Sequence, residues 1–186
     1  MLVNMTLSPT IESFFEQYGR IDSKFELVDE QVVDGRGGTA IHAKAIGNIL
    51  CTLVERLRGT GFEPMNGQMG LLIDATTVSY PDAAIYSDRR DLDQPGDVQV
   101  FRYPKIVFEV TTPATCQANH GRKLLAYKRL DSLAAIVLVD PIAQLVELHE
   151  RVAPNEWRHL ILPPESGMSL RDPAIKLSFT ELFATD

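Results

Sequence analysis

Residues 105–113, Lys-Ile-Val-Phe-Glu-Val-Thr-Thr-Pro, constrain the fold of this chain more than any other segment. Ile106, Val107, Phe108 and Val110 have the β-branched and aromatic character of a strand buried in a sheet. Glu109 stands in the middle of them. A carboxylate in apolar surroundings costs free energy unless a cation, a proton or a hydrogen-bond donor compensates it, so the strand predicts partners for Glu109 from elsewhere in the chain.

A second apolar run, residues 134–140, also reads as a central strand and stops at Asp140-Pro141. Between the two runs, residues 116–130 have helical spacing with Gly121 as their one breaker. Upstream, Ile41, Ala45, Ile46, Ile49, Leu50, Leu53, Val54 and Leu57 recur at intervals of three and four. They predict a long helix over residues 40–58, capped by Thr39 and stopped by Gly59 and Gly61. Ser8-Pro9 predicts the start of a short helix through Ile11, Phe14, Phe15 and Tyr18, closed by Gly19.

Residues 25–33 read as one or two short strands meeting at an acidic turn, and residues 71–73 and 76–78 as a strand or hairpin. Residues 82–86 read as another strand, 144–149 with 157–162 as a hairpin, and 175–183 as a last strand and short helix. Residues 87–96 are polar and charged and read as a loop. The predicted class is α/β, a mixed sheet flanked by helices, with an N-terminal helix-hairpin and a C-terminal β-hairpin. The expectation is one domain over 1–186, with a core at 39–140 between an N-terminal part (1–38) and C-terminal strands (141–186).

The chain has 186 residues, 45% of them hydrophobic, enough for a core of its own. No apolar run approaches the roughly 20 residues of a membrane span. The N-terminal residues lack the pattern of a signal peptide, so a cytoplasmic location is expected. Cys51 and Cys116 lack zinc-site spacing and read as reduced thiols. A net charge of −7 argues against broad nonspecific affinity for nucleic acid. Binding a polyphosphate would need a local basic patch or bridging metal ions.

Such ions have candidate ligands. Asp82, in Tyr80-Pro81-Asp82, starts one strand and Glu109 lies inside another, while the backbone carbonyl of Val110 can add a third oxygen. Mg²⁺ prefers oxygen donors, often one or two carboxylates with waters and substrate phosphate. Asn119, Lys123 and Tyr127 recur every four residues and form a polar stripe on one helical face. Lys123 can then orient an attacking water or balance a phosphate. Two acids and a lysine from separate elements are the raw material of a metal-dependent hydrolase.

The ordered series Tyr-Pro-Asp, Phe-Glu-Val-Thr-Thr-Pro-Ala-Thr, Gly-Arg-Lys-Leu-Leu-Ala-Tyr and Val-Leu-Val-Asp-Pro resembles the Uma (Uma-two) family of restriction-endonuclease-like proteins, within the PD-(D/E)XK nuclease superfamily. Residues 25–29, Phe-Glu-Leu-Val-Asp, match that family's early hairpin, and His42 opens its long helix. The resemblance implies a nuclease-type sheet, a Mg²⁺ or Mn²⁺ site at Asp82 and Glu109, Lys123 as a catalytic lysine moved from strand to helix, DNA as substrate, and homo-oligomers, with a dimer favoured. His42, Asn119 and Tyr127 are accessory candidates. Thr111 stands where the superfamily expects lysine, Asn119 where the family usually has Asp, and Thr112 where it usually has Ser.

Other polar residues have plainer readings. Glu26 and Asp74 read as surface and turn acids, His149 and His159 as structural, Arg89-Arg90 as part of a solvated loop, and Trp157 as a packing or dimer-contact aromatic. No Ser-His-Asp order or nucleophile elbow appears. The alternative to an endonuclease is a nuclease-type fold kept as a dimeric binding or regulatory protein, which the acidic composition and Asn119 favour.

Overall fold

In the computed structural model, which describes residues 9–19, 25–34, 38–111, 118–164 and 166–184, the chain folds into two β-sheets and their helices. The first helix, α1 (Pro9–Tyr18), buries Ile11 and Phe14. Strands β1 (Phe25–Val28) and β2 (Gln31–Asp34) form a hairpin whose turn residues Asp29 and Glu30 both have positive φ, 47° and 66°. That is the twist a two-residue hairpin connection needs.

Helix α2 (Ala40–Leu57) begins where Thr39 Oγ1 accepts the His42 N–H at 3.3 Å. It turns Ala45, Ile49, Thr52, Leu53 and Leu57 inward. Gly59 and Gly61, at φ 75° and 84°, take the chain out of the helix into β3 (Glu63–Asn66), a strand without a clear sequence signal. Strands β4 (Gly70–Asp74) and β5 (Thr77–Ser79) follow as a hairpin, then β6 (Ala83–Tyr86). A Cβ on Gly70 would lie 2.8 Å from the Val100 side chain, so glycine permits the close approach of β7 (Val100–Phe101) to β4.

Residues 87–96 are more than a loop. They hold a short helix, α3 (Arg89–Leu92), and a buried Asp91 whose carboxylate accepts the backbone N–H groups of Arg102 (3.0 Å) and Tyr103 (2.7 Å). The charge is satisfied by main chain 11 and 12 residues ahead, which no local pattern reveals.

Strand β8 (Pro104–Val110) carries Glu109. It is followed by α4 (Ala118–Lys128), β9 (Ala135–Asp140), β10 (Leu145–Ala153), β11 (Glu156–Leu162), β12 (Met168–Arg171), β13 (Ala174–Leu177) and α5 (Phe179–Phe183). One sheet has the order β2-β1-β5-β4-β7, the other β11-β10-β9-β8-β6-β3, and β12 and β13 pair alone. In the six-stranded sheet β8 and β9 run parallel and their neighbours antiparallel, so the sheet is mixed as the sequence predicts.

Alternation along β8 decides what each face holds. Ile106, Phe108 and Val110 point into the core shared with α2 and α5, while Val107 points into the core that contains Tyr127 of α4. Glu109, two residues after Val107, shares the α4 face. Arg151 fixes the end of that helix: its guanidinium donates to the carbonyls of Leu130 (2.7 Å), Leu133 (2.8 Å) and Lys128 (3.3 Å), and it stacks over Trp157. Among the described residues, no helix is long and apolar enough to cross a membrane.

Candidate active site

The two sheets meet at Tyr80-Pro81-Asp82, where the chain leaves β5 in one and enters β6 in the other. The register of β6 against β8 pairs Ala83 with Phe108, so one step further brings Asp82 opposite Glu109. Asp82 Oδ2 accepts the N–H of Val110 at 2.8 Å, and His42 Nε2, from the start of α2, lies 3.6 Å from the same oxygen. Val110 therefore enters the site through its N–H.

Lys123 and Tyr127 reach the same place from α4. Lys123 Nζ lies 2.7 Å from Glu109 Oε1, and the Tyr127 hydroxyl donates to that oxygen at 2.5 Å. Both donors use Oε1, which leaves Oε2 for another ligand. The four-residue spacing that places both side chains on one face is what converges them on Glu109. The side chain of Asn119, the third member of the stripe, and Thr112 lie outside the described residues.

Glu26 overturns its reading as a surface acid. It is 7% exposed, and its Oε1 accepts the Ser79 hydroxyl at 2.8 Å and the Tyr80 N–H at 2.7 Å, with Lys123 Nζ at 3.0 Å. Ser79 Oγ also lies 2.8 Å from the Tyr127 hydroxyl. Both faces of β1 are covered: Leu27 packs with Ile11 and Phe14 of α1, and Glu26 faces Lys123 of α4. The signal was available: Glu26 sits among Phe25, Leu27 and Val28 much as Glu109 sits among its neighbours. Ser79 carried no such signal. Asp74, by contrast, is a turn acid as read, accepting from Thr76 and pairing with Arg129 at 2.8 Å.

Three carboxylates thus surround one lysine and one histidine, and their protonation reflects it. Burial raises the pKa of Glu109; the charge of Lys123 draws it back, Asp82 and Glu26 push it up, and it settles at about 7. Burial also acts to raise Asp82, but His42, the Val110 N–H and Lys123 outweigh it and hold the pKa below the ordinary carboxylate value. Burial acts to lower Lys123, yet Glu109, Tyr127 and Glu26 keep it well above its usual value, so the ammonium stays charged. Burial and then Glu109 push the Tyr127 hydroxyl well up, which keeps it a donor.

This donor set fits a hard divalent cation: all three acids are oxygen donors, and a cation beside Glu109 would offset the burial that raises its pKa. A surface pocket lined by Glu26, Val28, Val33, Arg122 and Lys123 opens beside the cluster.

Comparison with known proteins agrees with this architecture. A crystal structure described as a "putative nuclease belonging to DUF820", from Anabaena variabilis ATCC 29413, superposes with a TM-score of 0.76 over 91% of this chain and 95% of that one, at 13% identity. The chain is also 26% identical over 174 residues, 93% of its length and 88% of the relative's, to "Uncharacterized protein slr1290" of Synechocystis sp. (strain ATCC 27184 / PCC 6803 / Kazusa). Residues 11–181 match the model of the Uma2 family, described as "Putative restriction endonuclease". The chain belongs to the Uma2 family and has the restriction-endonuclease-like fold.

Proposed function

We propose that this protein is a divalent-metal-dependent endonuclease that hydrolyses DNA phosphodiester bonds. The observation that carries the reading is the burial of Glu26 and Glu109, from two strands, against Lys123, with Asp82 buried just before β6 opposite Glu109. Asp82 and Glu109 would hold Mg²⁺ or Mn²⁺, with the Val110 carbonyl as a further oxygen. Bound there, the ion supplies Lewis-acid neutralisation of the phosphate and acidifies a water.

The chain's own groups do the rest. Asp82, anchored by the Val110 N–H, presents a fixed negative oxygen. Tyr127 donates to Glu109 Oε1, so the other oxygen of the carboxylate is left for the ion. Lys123, held between Glu109 and Glu26, brings one ammonium to the scissile phosphate, where it balances developing charge. Glu26 holds that ammonium in place from behind and is anchored by Ser79 and Tyr80. Arg122, beside Lys123 in the pocket wall, offers a second cation to the DNA backbone. In this reading the enzyme acts in the cytoplasm, and two copies related by a two-fold axis match the symmetry of a duplex.

The test is cleavage of supercoiled and linear DNA with Mg²⁺ or Mn²⁺. Nicking that requires the metal and disappears in a folded Glu109→Ala variant is expected. Purified protein that cuts no form of DNA with either metal, or a Glu109→Ala variant as active as the parent, would overturn the reading.

A further inference from the structure

A second cluster of ligating side chains lies on β10 and β11, where Glu147 stands two strands across the sheet from Glu109, beyond Leu138. His149 and His159 are cross-strand partners in the register of that hairpin, and Glu147 precedes His149 by two residues, so all three project from one face. One ligand atom from each lies within 4.8 Å of the others. His159 Nε2 is 2.8 Å from Glu147 Oε2, and the two imidazoles stack at 4.3 Å between centroids, 5° from parallel.

His149 makes the cluster unusual. It is 5% exposed, and neither of its ring nitrogens has a hydrogen-bond partner. Buried polar groups are almost always satisfied, so two orphaned nitrogens on one ring require an explanation. A buried neutral imidazole beside a second imidazole and a carboxylate is a ligand waiting for an ion.

We propose that Glu147, His149 and His159 bind a borderline first-row cation of the Zn²⁺ class, at a site separate from the nuclease carboxylates. Two imidazoles and one carboxylate are a recurrent Zn²⁺ set that leaves a fourth position for water, whereas Mg²⁺ selects oxygen donors. Metal–nitrogen distances of about 2.0–2.1 Å place neighbouring ligand atoms roughly 3.3 Å apart in a tetrahedron. Parallel stacked rings cannot both aim in-plane lone pairs at one ion, so one must turn. His159 has an exposed side chain and is free to rotate about its side-chain torsions, while His149 is fixed by burial. Lys128, also on this side of the sheet, opposes a cation, and the Glu147 carboxylate offsets it. The bound ion would staple the edge strand β11 to β10.

The experiment is calorimetric titration of Zn²⁺ into the full chain with Asp82→Asn and Glu109→Gln, which removes competition from the nuclease site. One ion per chain is expected, with affinity at least about tenfold lower after adding His159→Ala or Glu147→Gln. His159 is half exposed, so its variant should fold, as thermal melting without metal will check. In the same Asp82→Asn, Glu109→Gln background, Zn²⁺ should raise the melting temperature, and adding His159→Ala should abolish the rise. Co²⁺ in place of Zn²⁺ should give visible absorption that the same variant removes. Absence of binding tighter than roughly 100 µM, or Zn²⁺ affinity and melting shifts unaltered by both substitutions, would overturn the site.

Discussion

Replacing Lys123 by Met removes the one ammonium that sits between Glu109 and Glu26, at 2.7 and 3.0 Å. At an effective dielectric of about 20, each contact is a gross attraction of roughly 5–6 kcal/mol, most of it offset by the desolvation of the three groups. What the variant exposes is the uncompensated remainder, two carboxylates in apolar surroundings, and removing one partner of such a group costs about 3–5 kcal/mol. The loss must depend on pH. Glu109 has a folded-state pKa of about 7 against an unfolded value near 4.5, so the folded state takes up its proton as pH falls through 7. Protonation removes the negative charge that Lys123 was balancing. The destabilisation is therefore smallest below pH 7, where Glu109 is protonated in parent and variant alike, and grows as the pH rises above 7. Urea unfolding of parent and variant at pH 8 and pH 5, in chelator, measures both. A loss below about 1 kcal/mol at pH 8, or one equal at the two pH values, would refute the electrostatic reasoning.

Other consequences are equally open to measurement. A proton on Glu109 competes with a cation, so Mn²⁺ affinity followed by calorimetry should rise up to about tenfold per pH unit below about 7 and level off above it. Glu26→Gln keeps an oxygen for Ser79, Tyr80 and Lys123 but deletes a charge; denaturant melts should move by about 1 kcal/mol or less while DNA cleavage falls about tenfold or more. Arg151→Met removes the guanidinium from the carbonyls of Lys128, Leu130 and Leu133, of which Leu130 keeps the Leu133 N–H, and should cost about 2–3 kcal/mol with faster amide exchange in the last turn of α4.

The sequence reveals features whose causes are local. Thr39 and Gly59 bracket α2 because capping and positive φ are properties of a few neighbouring residues. Glu109 stands out because its own strand is apolar. Asp82 stands out less by chemistry than by the ordered series of motifs around it. Glu26 obeys the same rule as Glu109, but a hairpin near the N-terminus reads as half solvated, and only the distant Lys123, Ser79 and Tyr80 that close over it bury it. Asp91 hides for a related reason: its partners are backbone N–H groups, which every sequence has. The two-residue β7 and the short β3 follow from pairing with distant strands rather than from their own residues. His149 and His159 are recognisable as hairpin residues, yet their stacking and the orphaned nitrogens depend on cross-strand register.

The claim on which the function rests is that Asp82 and Glu109 share a cation. Anomalous diffraction from a crystal soaked in Mn²⁺ tests it without reference to turnover. The expected result is one peak at the junction of the sheets, with carboxylate oxygens of both Asp82 and Glu109 within about 2.0–2.6 Å of it. A fully soaked crystal with no peak there, or with the ion beyond reach of Asp82 or of Glu109, would contradict it.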